Sequence, residues 1–221
     1  MGTSSTGMVP QGQLAAGLLA AMAYGELSAF GRLSSDSRLA PTLRERAMLA
    51  KIAVGAFGNY ATISTRLTEM GFDPEDAMLP FQSAFDHFHE RTVSRDWFEA
   101  VMKAYVIDTV SSDFYRAVAG FLDAGTQHFV TQVASADHAT EALRILLARA
   151  LRDDPRLASR LALWGRRLVA EALTQAQRVG QEHPELGSVL QSAEARTATG
   201  AITAELAERH ARRMSGLGLR A

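Results

Sequence analysis

Apolar residues recur at spacings of three and four along almost the whole chain, interrupted by short polar or Gly- and Pro-bearing breaks. That period is helical. The first run extends from about Pro10 to Leu33 and stops at Ser34-Ser35-Asp36-Ser37. Pro41 suits a first helical turn, and the pattern resumes there and continues to about Met70. Gly71-Phe72-Asp73-Pro74 reads as a stop and a restart, with Asp73 as N-cap and Pro74 at the next position. That helix reaches about Arg91. Ser94 and Asp96 open a long helix from Trp97 to about Leu122, which Asp123-Ala124-Gly125 closes. A single long helix is expected over Thr126 to Leu151. Asp153-Asp154-Pro155 caps the next, which runs to about Gln181, and His183-Pro184 breaks it. A last helix, Ser192 to Met214, leads into Gly216-Leu217-Gly218. No segment sustains the period-two pattern of a strand. Long helices with short connections pack as antiparallel neighbours, so the expected fold is an all-α bundle. The expected organisation is a flexible N-terminus over 1–10, one helical domain over 11–215 and a flexible tail over 216–221.

Composition narrows the chemistry. The 221 residues suffice for one domain with a buried core, and the Ala- and Leu-rich make-up favours helices. The net charge of −1 gives no bulk electrostatic footprint for nucleic acid, so such a partner is not expected. The chain has no cysteine, which excludes disulfides, thiolate catalysis and Cys-ligated metal centres. Met1 to Gly12 lacks a basic start before an apolar run, and Leu14 to Ala23 is apolar but short and soon meets Glu26. The expected setting is therefore cytoplasmic, with no membrane partner.

Candidate chemistry sits where polar residues interrupt apolar helix faces, because an unpaired buried charge is costly. Glu26, Asp108 and His138 fall on three different long helices, the way a bundle core assembles a site. Glu171 is a fourth such residue, but Arg166 and Arg167 lie five and four positions before it and offer ordinary ion pairs. Asp113 precedes Arg116 by three and reads as a surface or ion-paired carboxylate. His87 and His89 are two apart, so on a helix their rings diverge and they make no helical metal pair. His128, His183 and His210 lie near helix ends, and Met70, Met78 and Met102 read as core fillers. The basic pairs Arg166-Arg167 and Arg212-Arg213 lack interleaved aromatics. No nucleophile elbow, phosphate loop or dinucleotide-binding glycine motif occurs. Gly55 and Gly58 flank Ala56 and Phe57, and glycine inside a helix suggests close packing or room for a bound group.

Several strings carry a family likeness: Tyr24-Gly25-Glu26, Arg38 to Arg44, Asp73 to Phe81, Lys103 to Asp108, Asp113 to Arg116, and Arg160 to Gln177. Through them the chain resembles actinobacterial ferritin-like proteins related to the tRNA hydroxylase that acts on 2-methylthio-isopentenyl-adenosine. The resemblance implies a ferritin-like four-helix bundle with additional C-terminal helices, and in ordinary members two metal ions, usually iron, between core helices. It assigns Glu26 to the first-helix carboxylate, Asp108 to the third-helix carboxylate and His138 to the fourth-helix histidine. The second-helix Asp/Glu-x-x-His motif falls on Ala56-Phe57-Gly58-Asn59, and the acidic partner of His138 falls on Ser135. About half the implied ligands are thus replaced. Glu141, one turn beyond His138, is a candidate substitute ligand.

The expectation is therefore a diverged bundle without a normal di-metal site. Glu26, Asp108 and His138 are its candidate acid/base residues, and Gly55, Ala56, Asn59, Tyr105 and Ser135 its candidate binding positions around a core space left by the lost ligands. No cofactor is expected. Iron, held by Glu26, Asp108 and His138, is the alternative. The leading reading is metal-independent proton transfer, cyclisation or isomerisation of a small, largely apolar molecule. Beside it stand an iron-dependent hydroxylase with a reduced ligand set and a non-catalytic binding or partner bundle. The apolar helix surface also suits a homodimer.

Overall fold

The computed structural model of the chain describes residues 11–134, 137–182 and 193–220. Among the described residues eight helices follow in order: α1 (Gln11–Asp36), α2 (Leu43–Glu69), α3 (Pro74–Arg91), α4 (Trp97–Ala119), α5 (Ala124–Val133), α6 (Asp137–Asp153), α7 (Leu157–Glu182) and α8 (Ala193–Gly216). A 3-10 turn, Ser37–Leu39, lies between α1 and α2, and no strand occurs among the described residues.

Four helices start on side-chain caps. Thr42 accepts from the Glu45 amide, Asp73 from the Glu75 and Asp76 amides, Asp96 from the Glu99 amide and Asp123 from the Thr126 amide. Each satisfies backbone donors that the helix itself leaves without partners. Pro41 thus precedes the α2 cap and does not occupy its first turn. Gly71, at φ 85°, ends α2, and the Phe72 amide bonds back to the Leu67 carbonyl at 3.0 Å.

One expected helix is two. The run foreseen over Thr126 to Leu151 divides into α5 and α6, because α5 closes at Ala134. The Arg116 guanidinium donates to the Ala134 carbonyl at 2.6 Å and ties that end to α4. The tail also departs from expectation. Leu217 and Leu219 are buried. Gly218, at φ 75°, makes the reversal after α8, and the Leu219 amide bonds to the Met214 carbonyl at 2.9 Å. The Arg220 carbonyl accepts from Arg166 at 2.9 Å. The C-terminal residues through 220 are therefore anchored.

α4 is the axis of the bundle. It packs against α1, α5, α6, α7 and α8, and most of its side chains are buried, including the polar Glu99, Lys103, Thr109 and Asp113. One core cluster gathers around its first half with α6, α7 and the end of α8, and a second around its last turns with α1, α2, α3 and α5. The α4–α7 contact is fixed by specific bonds. Arg160 pairs with Asp96 and, at 3.1 Å, with Glu99, and Trp164 Nε1 donates to the Glu99 carbonyl at 3.0 Å. The stretch Gly12–Leu39 is long and apolar enough, by length and composition, to cross a bilayer, with a mean hydropathy of 1.3 in its most apolar window. In this fold that apolar character serves the packing of α1 on α2, α3 and α4.

Candidate functional site

Three of the expected site residues converge. Glu26 on α1 hydrogen-bonds Asn59 on α2 and lies within reach of the charge of Asp108 on α4. Burial raises the Glu26 pKa from 4.5 to about 7; the Asn59 amide works against that rise, and the nearby Asp108 charge adds to it. Burial also raises the Asp108 pKa, opposed by the Thr140 hydroxyl and by the charges of Arg116, Arg213 and Arg32. Thr140 Oγ1 on α6 donates to Asp108 Oδ2. The chain thus holds a protonatable carboxyl, Glu26, beside a second carboxyl supported by hydroxyl and guanidinium groups.

The remaining candidates fall elsewhere. Ala56 is buried on the inner face of α2, but Gly55 and Gly58 are exposed, and a Cβ at either would meet nothing within 4 Å. They line no interior space, because the helix turns them away from the core. Tyr105 is buried in the core on the side of α4 that meets α6 and α8, where its neighbours include Arg213, Arg144 and Glu141. Ser135 lies outside the described residues, as does the side chain of His138, whose backbone is in the first turn of α6. Glu141 is exposed and makes a two-pronged bond to Arg144 at 2.7 Å, which turns it away from a ligand role. Asp113 is buried, and it pairs with Arg209 at 3.2 Å and Arg213 at 2.6 Å of α8, not with Arg116. Glu171 pairs with Arg91 of α3 at 2.9 Å, not with Arg166 or Arg167.

The interior space is also not where the lost ligands suggested. It is a channel of about 190 Å³ on the neighbouring face of α1, lined by residues of α1, α3, α4, α7 and α8 and none of α2. Its lining includes small residues, Ala21, Gly25 and Ala29 on α1 and Ala172 and Ala176 on α7, and the rings of Phe81, Phe85 and Phe114. A Cβ on Gly25 would stand 3.0 Å from the Tyr115 hydroxyl and 3.1 Å from the Phe85 ring, so the channel depends on glycine at that point. Ser111 and Tyr115 line it midway, and the Glu26 charge, after burial, helps hold the Tyr115 phenol protonated. Tyr115 thus lines the channel and lies close enough to Glu26 to feel its charge. Sequence reading missed this space, whose one signal was the small-residue stripe at every fourth position of α1.

A family model described as "Ferritin-like domain, actinomycetes" matches residues 12–193. The chain belongs to this ferritin-like family. Comparison with curated proteins finds no match. The matched span contains every helix that supplies Glu26, Asn59, Asp108 and Thr140, whereas nearly all of α8, with Arg209 and Arg213, lies beyond it.

A dinuclear centre in a ferritin-like bundle draws a carboxylate from each of two helices and a Glu-x-x-His pair from each of the other two. Here the described donors are two carboxyls and one amide, and the resemblance places a carboxylate where this chain has Ala56. Among the described residues no group of three His, Cys, Asp or Glu side chains is arranged to hold a metal ion. Asp108 already accepts from Thr140 and lies in the field of three arginines, which would repel a cation. Among the described residues this donor set is too small for a di-metal centre.

Proposed function

We propose that this ferritin-like bundle has exchanged its metal site for a proton-transfer site that works on a small, largely apolar molecule. The observation that carries the reading is the convergence of Glu26, Asn59 and Asp108 one side chain away from an apolar channel. Glu26, protonated in part near neutral pH, is the proton donor or acceptor. Asn59 orients its carboxyl, and Asp108, held by Thr140, keeps its proton affinity high. Tyr115 and Ser111 form the polar step between that carboxyl and the channel. Such a site suits isomerisation or cyclisation, in which a proton leaves one carbon and arrives at another with no net redox change. Kinship with the tRNA hydroxylase is part of the proposal as a shared scaffold, with no claim on its substrate.

The test is elemental analysis of untagged protein produced in iron- and manganese-supplemented medium. The proposal expects metal well below stoichiometry in folded protein. Stoichiometric iron would overturn it in favour of a hydroxylase with a reduced ligand set. A second reading, a binding bundle without turnover, is favoured by one feature: neither Glu26 nor Asp108 itself lines the channel. It predicts that Glu26→Gln alters stability and changes no reaction.

A further inference from the structure

The channel has a polar end where charge and hydrogen bonding are unbalanced. Arg32 reaches Asp36 at 3.2 Å through one terminal nitrogen, and its Nε has no partner. His89 Nδ1 and Gln175 Oε1 are likewise buried without a hydrogen-bond partner. All three residues line the channel. Behind them Lys103 is buried, with Nζ donating to the Thr92 carbonyl at 2.7 Å and lying 5.3 Å from the centre of the Phe88 ring. Two basic side chains thus crowd a region whose carboxylates are Asp36, already paired with Arg32, and Asp108 beyond it. Burial, aided by Arg32, lowers the Lys103 pKa to about 7, and burial with Lys103 and Arg32 lowers that of His89 to about 3. Buried polar groups in folded proteins normally find partners, and the unpartnered Arg32 Nε–H, with Lys103 behind it, marks a place for an acceptor of negative charge, while Gln175 Oε1 calls for a donor such as water.

Away from this end the lining is apolar. It passes Ala29, Phe85 and Phe114 and reaches Leu14 and Val118. From Leu14 to Arg32 the channel follows α1 for ~27 Å at the helical rise per residue. A compact apolar cavity of ~150 Å³ accepts a benzene ring. A volume of about 190 Å³ drawn out over five turns of helix instead matches one extended hydrocarbon chain.

We propose that the channel binds a single-chain amphiphile ending in a carboxylate, a fatty acid, with its head group on Arg32 and His89 and its chain directed toward Leu14 and Val118. Arg32 Nε–H and the His89 ring supply donors to the carboxylate, and Gln175 supplies an acceptor for a bridging water. The inference rests on the reading above for the chemistry that follows binding. Binding itself is measured without turnover, so failure of one is distinguishable from failure of the other.

The experiment is calorimetric titration of delipidated full-length protein with dodecanoate and, separately, with dodecan-1-ol. One dodecanoate is expected per chain, with the alcohol weaker by about tenfold or more, the worth of a charge-assisted hydrogen bond. Arg32→Gln should remove that preference and leave the alcohol's affinity within about twofold. Ala176→Phe, which fills the slot beside Phe85, should abolish both while keeping the helical circular dichroism of the parent. Equal affinity of the parent protein for acid and alcohol overturns the head-group assignment, and needs no variant. Undiminished binding by folded Ala176→Phe overturns the channel as the site. Absence of binding by both ligands to the folded parent overturns the proposal as a whole.

Discussion

Replacing Glu26 by Gln changes the pH dependence of stability by an amount that the structure sets. In the unfolded chain the carboxyl titrates at 4.5, and in the fold at about 7, chiefly because it is buried. Between those values the folded protein holds a proton that the unfolded chain has released. Unfolding free energy therefore falls as pH rises through this window. The gap is about two and a half units, and at 1.36 kcal/mol per unit the deficit reaches about 3 kcal/mol above pH 7 and vanishes below 4.5. Glutamine keeps the shape and the contact with Asn59 but carries no titrating proton. Glu26→Gln should equal the parent near pH 4.5 and exceed it by about 3 kcal/mol at pH 8, a rise in Tm of roughly 6–12 °C for a domain of this size. Urea unfolding followed by far-UV circular dichroism across this range, on chelator-treated protein, measures the difference. A Glu26→Gln profile parallel to that of the parent refutes the reasoning. So does a Glu26 carboxyl ¹³C resonance that titrates near 4.5 in the folded protein.

Three further outcomes follow from the core. Lys103 titrates in the fold at about 7 against 10.5 when unfolded, so the unfolded chain holds the extra proton above pH 7 and stability rises there; Lys103→Met should flatten a gain of about 2–3 kcal/mol between pH 7 and 9, read by the same unfolding series. Asp113→Asn removes the carboxylate that anchors Arg209 and Arg213 of α8, and with both guanidiniums partly exposed and able to resolvate the loss should be about 2 kcal/mol in urea unfolding, with faster amide exchange in α8. Gly71→Ala places a side chain at φ 85° where nothing lies within 4 Å, so the loss of about 1 kcal/mol should come from the backbone alone, and Gly71→Asn should recover part of it.

The helices were legible because their punctuation is chemical. Asp73, Asp96 and the glycine at 71 mark boundaries that the structure keeps. The division between α5 and α6 was not legible, because Val133-Ala134-Ser135-Ala136 carries neither Gly nor Pro, and the bond that closes α5 comes from Arg116, eighteen residues before Ala134. Glu26 and Asp108 could be singled out because a polar residue on an apolar helix is conspicuous, whereas Asn59 was marked only by the family likeness. The channel could not, since it results from small residues on one helix meeting small residues on another, and alanine in a helix-rich sequence is unremarked. Lys103 shows the same limit: it looks like any lysine in a helix until α1 and α3 enclose it.

The strings that carry the family likeness explain why resemblance speaks to scaffold before function. Arg160 and Trp164 clamp the start of α4, and Gly165 makes room for Met214, whose Cε would lie 2.6 Å from an added Cβ. Arg167 donates to the Arg91 carbonyl at 2.8 Å, and Glu171 holds Arg91 itself. In the Asp113 to Arg116 string, Asp113 secures α8 and Arg116 closes α5. None of these bonds depends on what occupies the centre. Changes at Ala56 or Asn59 would therefore leave every one of them intact, and the bundle can persist whatever its interior chemistry. The proposed function therefore rests on Glu26, Asn59 and Asp108 with the channel beside them. They are also the positions at which substitution should alter proton affinity and ligand binding more than the helical fold.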